Sequence, residues 1–157
     1  MTPAGAGGAP LPPFACVPGL TPRHAPGTFD ALHASVKPGM TVAVLSKTAA
    51  FRAGFRYHDA GFYWEAHEAW EPVWQALPPN SAERQFVQGL IQLANAELKL
   101  RMMRPRAARR LCAIAARHLA EARRGCAARI MGQDPARLGG QISDCASRAG
   151  GFEKNAL

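Results

Sequence analysis

The stretch Gly61-Phe62-Tyr63-Trp64-Glu65-Ala66-His67-Glu68-Ala69-Trp70-Glu71 decides the fold. Turned at about 100° per residue, Phe62, Ala66, Ala69, Trp70, Val73, Trp74 and Leu77 gather on one arc. That pattern predicts an amphipathic helix from Phe62 to Leu77, stopped by Pro78-Pro79. His67 falls at the edge of the arc with Glu71 one turn on, Glu65 at the other border, and Glu68 and Gln75 opposite. Pro72 lies inside this helix, cannot donate to the Glu68 carbonyl, and predicts a kink.

The next apolar segment behaves in the same way. Ser81 is placed to cap a long helix reaching about Met103, with Arg84 where a capping-box glutamate would stand. Phe86, Val87, Leu90, Ile91, Leu93, Ala94, Leu98 and Leu100 form its apolar arc, and Gln85, Gln88, Gln92, Asn95 and Lys99 its polar stripe. Gly89 costs helix stability unless a neighbour approaches closely there. Glu97 falls within the apolar arc and requires a partner.

Moving outward, Thr28 is read as the cap of a short helix to about Val36, and Ser46 as the cap of one from Lys47 to about His58, ended by Gly61. Pro105 suits the first turn of a further helix ending near Gly125. Only Thr41-Val42-Ala43-Val44-Leu45 alternates like a strand. Residues 1–27 hold seven prolines and admit no regular helix. The first ten are expected to be disordered, whereas the apolar run Leu11–Leu20 reads as an extended arm packed on the domain. The fold class is therefore all-α: a compact multihelical bundle of about five helices behind a Pro/Gly-rich arm. The organisation expected is an arm over 1–27, a helical domain over 28–131, and a Gly-rich tail over 132–157 that has room for one weak helix.

Composition narrows the function. The 157 residues suffice for one domain, and no run spans a bilayer. The start lacks a basic n-region and an apolar h-region, so it does not read as a signal peptide, and a cytoplasmic location is expected. Cys16, Cys112, Cys126 and Cys145 show no zinc-ligand spacing and are expected as reduced thiols, with Cys112 and Cys126 in the core. His118 reads as a satisfied core histidine, and His24, His33 and His58 as isolated. Residues 101–129 carry nine arginines against Glu121 alone, while residues 51–100 are net acidic. Arg106, Arg110, Arg117 and Arg124 line one face of the helix over 105–125. Such a face serves a nucleic-acid partner or is simply a solvated surface.

The two motifs, with Gln88-Gly89-Leu90-Ile91-Gln92-Leu93-Ala94 following the first, resemble domain of unknown function family 309, small bacterial and archaeal helical proteins. The similarity runs from about Phe51 to Ala122, and the arm segment Pro18-Gly19-Leu20-Thr21-Pro22 is similar too. The resemblance implies a compact multihelical fold and no established activity. It marks Glu65, His67, Glu68, Glu71, Gln88 and Gln92 as motif positions without a role, and Pro72 as a departure.

The chemistry open to these residues is limited. His67-Glu68-Ala69-Trp70-Glu71 has glutamate where a zinc protease needs its second histidine. No ExxH pair of the di-iron bundles occurs, nor a GxSxG, phosphate-loop or dinucleotide motif. A single divalent-metal site on His67 and Glu71, with Glu97 or Gln92 nearby, fits the residue types. So does a hydrogen-bond network of His67 and Glu71 with the Gln88 and Gln92 amides. Phe51–Leu77 resembles one tetratricopeptide hairpin, without the second copy a solenoid needs. The working expectation is a binding or regulatory module for a small ligand or protein at Glu65, His67, Glu68, Glu71, Gln88 and Gln92. A metal-dependent enzyme at the same residues, with Glu68 as acid or base, and a nucleic-acid binder are the alternatives. An exposed Tyr63 or Trp64 would serve a partner or a homodimer face.

Overall fold

A computed structural model describes residues 9–155, with the side chain of Glu153 left aside. The disorder expected of the first ten residues therefore falls mostly outside the described ones. Among the described residues there are seven helices and no strand: α1 (Asp30–Ala34), α2 (Val42–Leu45), α3 (Ala49–Asp59), α4 (Tyr63–Ala76), α5 (Ala82–Arg101), α6 (Pro105–Arg123) and α7 (Pro135–Asn155). Among the described residues, no helix is long and apolar enough to cross a membrane.

The count exceeds five for two reasons. The strand-like Thr41–Leu45 is instead a single helical turn, because the Thr41 side chain accepts the Val44 N–H as an N-cap. The tail forms a helix of 21 residues. Its Leu138, Ile142, Cys145 and Ala149 recur at helical spacing and are buried, so tertiary packing offsets the weak propensity of its glycines. Cap positions shift as well. Phe29, not Thr28, precedes α1, and Thr48, not Ser46, caps α3 by accepting the Phe51 N–H. Ser81 caps α5 as expected, accepting the Arg84 N–H at 3.1 Å.

Successive long helices pack on one another, and α7 closes the bundle against α6 and α5. On α6, Ala108, Cys112, Ala115, Leu119 and Ala122 face inward. Cys112 is buried as expected, but Cys126 is exposed: α6 has already ended, and Cys126 sits in a turn with φ 55°. Cys112 and Cys145 are free thiols hydrogen-bonded to each other, and that contact pushes the Cys145 thiol up. At Gly89 the expected close approach is not met: a methyl there would touch Leu138 at 3.4 Å and the Ala115 carbonyl at 3.6 Å, ordinary van der Waals contacts. Glu97 finds the partner it needs on α7, where Arg148 grips it with two guanidinium nitrogens and also bonds Asp144.

Candidate functional site

Helix α4 carries carboxylates to two quite different environments. On one side, Glu65 is fully buried. Its Oε2 accepts the Cys16 backbone N–H at 2.8 Å and meets His24 Nε2 at 2.6 Å, while Oε1 has no partner. The His24 side chain is 4% exposed, stacked on Phe14 with centroids 4.6 Å apart and edge-on to Phe29. Trp64 joins the same aromatic group, 5.8 Å from Phe29. The Pro-rich arm is thus fastened onto α4, and His24 is not isolated. No spacing rule connects a loop histidine to a glutamate 41 residues away, so only the apolar character of the arm hinted at the contact.

On the other side of α4, His67, Glu68 and Glu71 come together. One ligand atom from each lies within 4.8 Å of the others, and His67 Nε2 is 3.4 Å from Glu71 Oε2. All three are half-buried in residue terms, with the Glu71 side chain 43% exposed. His33 reaches over from α1, its Nε2 3.7 Å from Glu68 Oε2 and 3.3 Å from the Glu68 carbonyl. That carbonyl is the one deprived of its helical donor by Pro72, so the proline creates an acceptor that His33 fills. An open cleft of about 320 Å³ adjoins the group, lined by His33, Glu71, Pro72 and Gln75.

Gln88 and Gln92 make no hydrogen bond to this cluster. Both stand half-buried on α5, and the expected amide network with His67 and Glu71 is not formed. The reason is rotational: α4 turns Ala66, Ala69, Trp70 and Val73 into the core and leaves His67 and Glu71 on its outer flank. Nor are Tyr63 and Trp64 free faces. Trp64 serves the arm, and Tyr63 packs against His58 and beneath the Arg101 guanidinium. His118 is satisfied, as expected, by Gln85 at 2.7 Å.

His58 is the second titratable group outside the expected set. Its ring lies between Tyr63 and Trp70, and Nε2 is buried without a partner beside a narrow crevice between α3, α5 and α7. Burial holds its imidazole below the ordinary 6.5; Glu97 and Asp59 oppose the shift and Arg137 and Arg148 reinforce it. Burial also lowers His118, helped by Arg117. The unfolded chain then takes up protons that the folded chain refuses, so stability fully present above about pH 6.5 is lost as pH falls below that value toward the lowered folded one. Urea midpoints are expected to drop between pH 7 and 5, with a shallower drop in His58→Gln. A midpoint that rises on acidification would contradict this assignment.

The fold and site thus define a small all-helical protein with an arm-clamping glutamate and a His/Glu cluster on one helix. The model of the family described as Domain of unknown function (DUF309) matches residues 51–111, and confirms over that span the resemblance read from the two motifs. The matched segment runs from α3 into α6 and includes the whole of α4 and α5. Comparison with curated proteins finds no match, and neither does comparison with solved structures.

Proposed function

We propose that the chain is a binding module whose ligand is a divalent metal ion held by His67, Glu68 and Glu71, with His33 at the rim. The observation that carries this is the convergence of one imidazole and two carboxylates within 4.8 Å beside an open cleft. Ligands about 2.1 Å from a tetrahedral zinc lie about 3.4 Å apart, the separation of His67 Nε2 and Glu71 Oε2. Positions i, i+1 and i+4 of one helix fall within about 100° of arc, so α4 alone presents all three. Glu68 belongs to the ligand group in this arrangement, rather than standing aside as an acid or base. Gln88 and Gln92 have no part in it.

The mixed nitrogen and oxygen donors suit Zn²⁺, Mn²⁺ or Fe²⁺ better than Ca²⁺. Binding displaces any proton on the imidazole, so affinity falls in acid. Calorimetric titration of the purified chain with Zn²⁺ is expected to show one site. His67→Ala and Glu71→Ala should each weaken it by about tenfold or more, and His33→Ala less. No saturable heat, or affinity in both His67→Ala and Glu71→Ala equal to that of the parent, would remove the reading.

A further inference from the structure

One face of α6 carries arginines that the fold leaves largely to solvent. Arg106, Arg110, Arg117 and Arg124 fall within about 40° of one another around the helix and are all exposed. Among the described residues, no ion pair or hydrogen bond engages Arg106, Arg110 or Arg117. Arg124 meets Glu121 at 3.2 Å, but both side chains are more than half exposed, so that pair is weak and exchangeable. Ala113 and Ala120, exposed between the arginines, keep the face low.

We propose that this face of α6 binds the phosphate backbone of a nucleic-acid duplex without regard to sequence. From Arg106 to Arg124 the row spans about 27 Å. A duplex presents one negative charge per about 1.7 Å of axis, hence about sixteen over that length, so the row meets phosphates in any register. The duplex is favoured over a single strand because no exposed aromatic stands on the face to stack a base. It is favoured over an anionic membrane because the exposed large apolar residues Leu11, Leu20, Val44, Met103 and Phe152 all lie off this helix, leaving nothing on the face to insert into lipid. The site is remote in kind from the His67 cluster, and neither needs the other.

The test is fluorescence anisotropy of a labelled 20-base-pair duplex of random sequence, titrated with the full chain at 50–200 mM salt. Micromolar binding is expected at 50 mM, with log K falling against log salt at a slope of about −3 to −4. The triple variant Arg106→Glu, Arg110→Glu, Arg117→Glu should lose at least tenfold in affinity and flatten the slope toward about −1. The matching triple change to lysine should keep both, and circular dichroism should show all three proteins equally helical. Absence of binding at 50 mM salt would overturn the proposal. So would binding that the glutamate triple retains, or capture by phosphatidylserine vesicles with the duplex left unbound.

Discussion

Gly54→Ala is expected to destabilise the protein by about 3 kcal/mol, near the upper end of what overpacking by one methyl costs. Helices α3 and α4 cross where Trp70 lies across Gly54, and a Cβ on Gly54 would overlap the indole ring. The ring has nowhere to go. Its Nε1–H donates to the Phe51 carbonyl at 3.1 Å, Phe55 packs edge-on at 5.1 Å, and the side chain is 1% exposed. In an unobstructed helix the same change stabilises by about 0.5–1 kcal/mol. The sign of the effect is therefore diagnostic. Gly140→Ala supplies the control, since Gly140 sits inside α7 with nothing near its would-be methyl, and it is expected to gain that amount. Urea unfolding followed by circular dichroism measures both, and a stabilising Gly54→Ala would mean that α3 and α4 do not cross here.

Glu65→Ala is expected to cost about 3 kcal/mol, in the range for removing one member of a buried pair. It strips the acceptor from the Cys16 N–H and from His24 together, in a place water does not reach. The loss should be local in its consequence. Limited proteolysis is expected to cut the arm over residues 9–29 much faster in the variant, while α5 and α6 keep their hydrogen-exchange protection. Glu65→Gln keeps one acceptor and should lose less than half as much. If the arm of Glu65→Ala resists protease as the parent does, the aromatic packing of Phe14, His24 and Phe29 holds it without the carboxylate.

Much of this architecture is legible along the chain because its helices are long and periodic. The inward arc of α4 and the cap and inward arc of α5 all follow from spacing and side-chain chemistry. The places where expectation and structure part are those with short range or hidden signal. A one-turn helix such as α2 is decided by its Thr41 cap against a β-branched sequence that favours a strand. Helix α7 hides its apolar stripe among glycines, whose propensity argues against the helix that packing then enforces. Without α7, the partner of Glu97 had no address.

The candidate site divides in the same way. His67, Glu68 and Glu71 converge because they share one helix, which is a local property. His33 joins them only through the placing of α1, and the rotation of α4 about its axis, which buries Ala66, Ala69, Trp70 and Val73, leaves His67 and Glu71 on its flank. Helical periodicity states which residues share a face but not which face meets which neighbour; that is settled by the fit of Trp70 over Gly54. By itself, the sequence determined an all-helical chain, the residues of its main apolar stripes, its basic helix and the need of Glu97 for a partner. Only the tertiary structure decided that Glu65 would fasten the arm through His24, and that His67 and Glu71 would face outward. Those contacts join residues far apart in the chain, where no periodicity reaches and only packing selects the partner.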